Sequence, residues 1–502
     1  MDKQKFYITT SIAYANAAPH IGFALELLIA DSIARYQRLQ GKDVYFLTGT
    51  DEHGIKIYNT AQSKGVSPQQ FVDEVSTEFK ELAARLNISH TDFIRTTDRS
   101  RHWPAAQKVW AQLANKGDIY LGHYQGYYCV NDEAYITETD YKSGAYDNKT
   151  VIELSEDNYM FKLSNYTTEL QHAIGNNLQV VPAHRGKEIL NFIKDGAADV
   201  SFSRQKDKLP WGIPVPGDEN HVMYVWSDAL TNYISAIGYA DDESKFNHYW
   251  PADVQVIGKD ILRFHAMIWP AMLTGLGLQL PRTLLVHGFI TSSGQKMSKS
   301  IGNVVSPNDL IDTYGVDATR YYLLAAIPTF DDGDYSPTRM QEVYTSNLAN
   351  DLGNLVSRVL TLATKNFDGI IPLSPDHHIL TDETIDIWHK HFSEYSIDKA
   401  IATTWEVVRA CNAYVDATKP WEQAKTDQNA ANQAIVNLLH AIKQISVMLY
   451  PIMPETSTQI RHQIGLHPIN TDTISLDSEL QAPIPVGHQL SGSKILFPRI
   501  ET

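Results

Sequence analysis

The stretch FYITTSIAYANAAPHIGF, Phe6 to Phe23, decides how this chain is read. Its first part, Phe6 to Tyr14, is apolar and β-branched and predicts a strand. Pro19-His20-Ile21-Gly22 then opens a helix with Phe23, Leu27, Ala30 and Ala34 on one stripe and Gly41 at its end. A second stretch, Lys296-Met297-Ser298-Lys299-Ser300, lies in a Gly/Ser-rich loop after an apolar strand, Leu284 to Thr291. A polyphosphate nucleotide needs both kinds of help: a helix N-terminus with small residues to lie against, and mobile ammonium groups for developing phosphate charge. Neither stretch is a Walker loop or a dinucleotide fingerprint. Together they point to chemistry at a nucleotide α-phosphate.

Outward from these stretches the chain divides. Over residues 1–116 strand and helix signals alternate: Val44 to Thr48 is a strand ending in Gly49-Thr50-Asp51-Glu52-His53-Gly54, and Ser67-Pro68 opens a helix to about Asn87. Such alternation predicts a parallel sheet covered by helices, with function at the strand C-termini. Residues 117–205 read as an insertion rich in Tyr, Gly and β-branched residues, turning helical from Ser164. The sheet resumes over 206–338, with Tyr224 to Trp226, the strand Val254 to Ile257, a long helix from Asp260, and a helix opened by Gly315-Val316-Asp317. Beyond Arg339 strand signals fade. Leu348, Leu352, Leu355, Val359 and Leu362 form one helical stripe, and Ile397, Ile401, Val408, Cys411 and Val415 another, so 339–465 reads as a helical bundle. A third helix, Asn432 to Leu449, is stopped by Pro451 and Pro454. Residues 466–502 read as an extended tail that packs back through Ile495-Leu496-Phe497.

The 502 residues suffice for about three domains. No apolar run approaches the ~20 residues needed to span a membrane, and the N-terminus has no signal or transit character. Cys129 and Cys411 are the only cysteines and form no CxxC pair, which favours a reducing, cytoplasmic setting and speaks against structural zinc. The net charge of −16 disfavours non-specific nucleic-acid binding but leaves room for a local basic groove.

HIGF (20–23), GKDILRFH (258–265), KMSKS (296–300) and YVDATKPW (414–421), in this order and spacing, resemble the methionyl-tRNA synthetases of class I. The likeness runs from Phe6 to about Gly465. It implies an α/β fold, a Rossmann-like parallel-sheet catalytic domain split by an insertion and followed by an α-helical anticodon-binding bundle. It also implies ligation of L-methionine to tRNA(Met) through methionyl-adenylate, with ATP and Mg2+. By this resemblance His20, Gly22, Lys296 and Lys299 are catalytic and bind ATP, and Gly258 and Asp260 hold its ribose. Ile12, Tyr14, Asp51, Trp226, Ala229, Tyr233, Ile261 and His265 match the methionine pocket, with Asp51 receiving the α-ammonium, and Arg204 matches a positioning arginine. An unbranched thioether suits such an aromatic wall. Asn354, Arg358 and Trp421 match positions that read a CAU anticodon, by edge hydrogen bonds and stacking.

The residues alone leave other readings open. Trp226 and Tyr233 suit plain core, Asp51 and Arg204 an ion pair, and Asn354 and Arg358 a solvated helix face. The chain also departs from the family. Phe23 replaces the final His of the first motif, Leu230 stands where relatives often have Pro, and the insertion keeps one sulfur, Cys129, where many carry a zinc knuckle, so no zinc is expected. The absence of a further C-terminal tRNA-binding module after the bundle favours a monomer. Leucyl, isoleucyl and valyl enzymes share both signatures, but they need a second, hydrolytic site, because a methylene is worth only ~1–3 kcal/mol of discrimination. An insertion of 117–205 is small for one. An inactive RNA-binding relative and a nucleotidyltransferase on the same split fold are the remaining alternatives.

Overall fold

The computed structural model describes residues 3–129, 134–136, 138–144, 146–194, 196–297 and 303–500. In chain order the first strands are β1 (Lys5–Thr9), β2 (Ala13–Tyr14), β3 (Asp43–Asp51), β4 (Asp92–Arg95), β5 (Ile119–Cys129), β6 (Ala134–Ile136), β7 (Val151–Phe161) and β8 (Gln179–Val181). They are followed by β9 (Val200–Ser201), β10 (Ser203–Gln205), β11 (Pro214–Val215), β12 (Asp218–Met223) and β13 (Val254–Gly258). The last are β14 (Thr283–His287), β15 (Ile290–Ser292), β16 (Gln295–Lys296) and β17 (Gly333–Tyr335).

Seven strands form one parallel sheet in the order β2-β3-β1-β13-β14-β8, with β4 also paired to β3. From β1 the chain passes through helix α1 (Ile21–Leu39) to β3 on one side, while β13 and β14 lie on the other. The strand order therefore reverses at β1, and the crevice of an open α/β sheet opens at the carboxyl ends beside such a reversal. Ser11 marks the parting: its N–H bonds to Val256 O of β13 (3.0 Å), whereas Thr10 N bonds to Leu47 O of β3 (3.0 Å).

Helices α2 (Ile55–Lys64), α3 (Pro68–Arg85) and α1 pack on one face of the sheet, and α4 (His102–Lys116) on the other. Ser67 caps α3 by accepting from Gln70 N at 3.2 Å, with Pro68 at the first helical position. The bundle comprises Asn354–Phe367, Asp382–Ser393, Ile397–Thr418, Gln428–Leu449 and Pro454–Gln463, and both leucine/isoleucine stripes are buried. One apolar core runs from α1 through the helix Val316–Ala325 into this bundle. That continuity explains why α1 is buried on nearly every face and not on a single stripe: Tyr36 stacks on Phe392 of the bundle at 4.3 Å.

Several expectations need correction. The strand expected over Phe6–Tyr14 breaks after Thr9, because residues 10–12 change sheet partners. The long helix expected from Asp260 is a short turn (Lys259–Ile261), a π-turn (Phe264–Ile268) and a helix (Trp269–Gly275). Leu284–Thr291 is two strands in two sheets: Gly288 lies against the backbone of Asp331, where a Cβ would come 2.2 Å from its carbonyl oxygen. The stretch 117–205 is not wholly separate from the sheet. β5 and β7 form an eleven-pair antiparallel hairpin apart from it, yet β8 adds the edge strand next to β14, and three residues are too few to show a period. The tail carries a helix, Leu476–Gln481; Phe497 is buried while Ile495 is 76% exposed.

Candidate active site

The crevice at β1 is built from both halves of the sheet. His20 is the N-cap of α1, its extended backbone preceding the first turn, and its Nδ1 accepts from Gly22 N at 3.0 Å. A Cβ at residue 22 would stand 2.9 Å from the His20 ring, so glycine there makes room for the cap itself. His20 is exposed; partial desolvation lowers its pKa, and the nearby Asp260 carboxylate opposes this. Gly258 ends β13, and a Cβ there would meet Asp260 Oδ1 at 2.7 Å. Phe23 points away from the crevice, packing edge-on against Phe79 of α3 at 4.8 Å.

The lysine-bearing stretch begins on a second, small sheet. β15 and β16 form a hairpin in which Lys296 pairs with Thr291, and Asp334 Oδ1 accepts from Gly294 N (2.7 Å) and the Thr291 hydroxyl (2.6 Å). Ser293 and Gly294 turn the chain with φ of 53° and 75°. Lys299 lies outside the described residues. Where the chain re-enters the described part, Val305 O accepts from Ile21 N at 3.3 Å, so the loop returns to the start of α1.

The residues expected to form a thioether pocket fall into a few linked contacts. Tyr14 and Asp51 are register partners of β2 and β3, which carries Asp51, 6% exposed, beside Tyr14. Trp226 stacks flat on Phe264 at 3.5 Å. The Tyr233 hydroxyl meets His265 Nε2 at 2.7 Å, and His265 Nδ1 meets Ile261 O at 3.0 Å. Burial lowers the His265 pKa to about 4, so the ring is neutral near pH 7. Its Nδ1–H donates to Ile261 O and its Nε2 accepts from Tyr233, which sets the tautomer. Ala229 and Leu230 are buried, Ala229 in a small cluster with Tyr128 and Tyr224 against which Ile12, Leu154 and Trp226 pack. Arg204 is paired with Glu156 at 3.0 Å and lies over the Tyr128 ring at 4.8 Å, so the β5–β7 hairpin holds it in place.

A buried network underlies this wall. Asp228 accepts from His53 Nδ1 and His102 Nε2, both at 2.6 Å, and His102 Nδ1 meets Ser235 Oγ at 2.9 Å. Burial pushes the Asp228 carboxyl up, but the two imidazoles outweigh it and hold it below the usual range. This ties the helix Val225–Ala229 to the loop after Asp51. Sequence reasoning missed Phe264, Tyr128, Glu156 and the Asp228 network. Phe264 stands inside the quoted GKDILRFH motif and could have been found there; the others converge only through tertiary packing.

In the bundle, Asn354 is the exposed first residue of its helix. Arg358, one turn on, pairs with Asp416 at 3.2 Å and lies over the Trp421 ring at 4.6 Å. Arg358 and Trp421 are thus together, and Trp421 is half-buried against the core. Among the described residues no group of three or more His, Cys, Asp or Glu could hold a metal ion. Cys129 ends β5, buried. No described helix is long and apolar enough to cross a membrane.

Residues 6–146 and 140–360 match the family model described as tRNA synthetases class I (M), and residues 377–502 the one described as anticodon binding domain of methionyl tRNA ligase. A methionine–tRNA ligase of Brucella suis is 40% identical over 99% of this chain and 98% of its own length. One of Listeria monocytogenes is 42% identical over 100% of this chain and 78% of its own. The solved structure of Mycobacterium tuberculosis methionyl-tRNA synthetase in complex with methionyl-adenylate superposes with a TM-score of 0.92 at 36% identity, covering 99% of this chain and 100% of that one.

Proposed function

The chain belongs to the methionyl-tRNA synthetases of class I, and from that premise we propose how its residues divide the work. The reaction is ATP-dependent ligation of L-methionine to tRNA(Met) through methionyl-adenylate. The methionine carboxylate attacks the α-phosphorus, pyrophosphate leaves, and the aminoacyl group then passes to the tRNA 3′ end. No covalent enzyme intermediate is needed, so catalysis is positioning and charge stabilisation.

In our reading ATP enters as its Mg2+ complex and lies between α1 and the loop 296–305. His20 and Gly22 flank the phosphates, Gly258 and Asp260 take the ribose, and Lys296 and Lys299 meet the departing pyrophosphate. The observation that supports this reading is the bond from Ile21 N to Val305 O, which sets residue 305, five positions past the second motif, against the start of α1. Methionine lies among Ile12, Tyr14, Trp226, Ala229, Tyr233, Ile261 and His265, its ammonium on Asp51, with Arg204 as the positioning cation. Asn354, Arg358 and Trp421 read the anticodon. The catalytic unit comprises 1–116 and 206–338, with β8 of the stretch 117–205 completing its sheet; the bundle is 339–465 and the tail 466–502.

We further propose a cytoplasmic monomer. Its large exposed apolar side chains, such as Leu121, Val304 and Val486, are spread along the chain and not gathered in one stretch. Amino-acid-dependent ATP–pyrophosphate exchange across the twenty amino acids tests the function. Methionine alone is expected to support it; exchange with leucine or isoleucine in its place refutes the assignment.

A further inference from the structure

Glu26 and His287 form a buried pair that joins α1, in the first half of the catalytic unit, to β14 in the second. Glu26, on α1, accepts with Oε1 from both the N–H and the hydroxyl of Ser11, each at 2.6 Å. Its Oε2 faces His287 Nε2 at 3.0 Å, at the end of β14. The other ring nitrogen, Nδ1, faces the Gly288 carbonyl at 2.8 Å. A carbonyl cannot donate, and a carboxylate already taking two hydrogen bonds is an acceptor as well. With Glu26 as a carboxylate both ring nitrogens carry hydrogen, which makes His287 an imidazolium. Burial alone would remove that proton; the Glu26 hydrogen bond and charge outweigh it and raise the pKa.

The position of the pair matters for the nucleotide. A Cβ at Gly258 would lie 3.8 Å from His287 Nε2 and 2.7 Å from Asp260 Oδ1, so the imidazolium sits directly beneath the Gly258–Asp260 turn. The Asp260 carboxylate acts on both His20 and His287. The charged groups facing His287 are Glu26 from α1 and Asp260 from the turn after β13. The neighbouring Lys259 and Asp332 pair with each other at 2.6 Å, and the turn after β1 contributes the Ser11 dipoles.

We propose that His287, kept as an imidazolium by Glu26, is a positioning residue for the nucleotide: its charge holds the Asp260 carboxylate set towards the ribose. This rests on the ribose reading of Gly258 and Asp260 given above. It acts through Asp260, so its loss falls on ATP and leaves methionine binding nearly untouched. The stabilising charge is present below the raised His287 pKa and is lost as pH rises through it.

The test is exchange kinetics against pH, with ATP and methionine varied separately. His287→Gln keeps a donor near Nε2 but has no charge. It is expected to raise the KM for ATP about tenfold at neutral pH, to leave that for methionine within about twofold, and to abolish the alkaline limb of kcat/KM for ATP. Glu26→Gln is expected to move that limb to lower pH, a shift that a merely structural role would not produce. Equal changes in both KM values, or an alkaline limb that persists in His287→Gln, overturn the proposal. If neither variant folds by circular dichroism, 15N spectra of ring-labelled wild-type protein decide: two protonated nitrogens on His287 near pH 7 support it, and a neutral tautomer overturns it. Wild-type protein without methionine-dependent exchange would refute the functional reading itself, and this proposal with it.

Discussion

Single hydrogen bonds set the chemistry of several side chains in the crevice. The Tyr233–His265–Ile261 relay is one, because a buried neutral imidazole with both nitrogens engaged can take only one tautomer. Removing the hydroxyl leaves the His265 acceptor buried without its donor, a loss of about 1–3 kcal/mol. Tyr233→Phe is therefore expected to raise the KM for methionine roughly tenfold, since ~1.4 kcal/mol is a factor of ten, with the KM for ATP unchanged. Exchange titrated separately in each substrate checks this, and a rise confined to ATP would contradict the pocket proposed here. Arg204 shows the opposite lesson. Its bond to Glu156 is also what a plain ion pair would look like, as the sequence allowed. What the fold adds is location: the pair joins the β5–β7 hairpin to the wall that holds Ile12 and Trp226.

At the scale of elements, α1 serves as a rod held along its length. Its N-terminus carries the His20 cap and ties the Ile21 amide to Val305 O, and its C-terminal half is gripped by the bundle through Tyr36 and Phe392. Phe23 belongs to this packing and not to the site. Restoring the family's usual residue by Phe23→His would break the edge-on contact with Phe79 and bury an imidazole among apolar groups. The expected cost is about 1–3 kcal/mol in urea unfolding, with no gain in exchange rate. A faster exchange in that variant would show that the position still reaches the triphosphate.

At the scale of the whole molecule, catalytic and helical parts are joined by the helix Val316–Ala325. Arg320, fully buried, pairs with Asp31 of α1 at 2.7 Å and donates to Ile452 O (2.7 Å) and Leu86 O (2.9 Å). Asp317 accepts from Thr456 N at 2.6 Å, and its other oxygen is buried without a hydrogen-bond partner among the described residues. Burial raises the Asp317 pKa from 3.8 to about 6, against the pull of Arg320 and Thr456. The folded protein then holds this proton more tightly than the unfolded chain does. Its contribution is full below the unfolded value and is lost as pH rises through about 6. Asp317→Asn keeps an acceptor for Thr456 but removes the titration. Its stability is expected to be flatter than that of the wild type between about pH 4 and 6, by about 3 kcal/mol across the interval. Urea unfolding at several pH values measures the difference, and parallel curves would refute it.

The residues themselves determined the alternation of strand and helix, the cap at Ser67, the bundle stripes and the two motif-bearing stretches, because each is written in local spacing and turn chemistry. Tertiary structure alone decided where β1 breaks, that β8 joins the central sheet, that α1 is enclosed on nearly every face, and that Glu26 meets His287. Those outcomes depend on contacts between groups hundreds of positions apart, and a buried acid and a buried imidazole look like any others until folding removes the water between them.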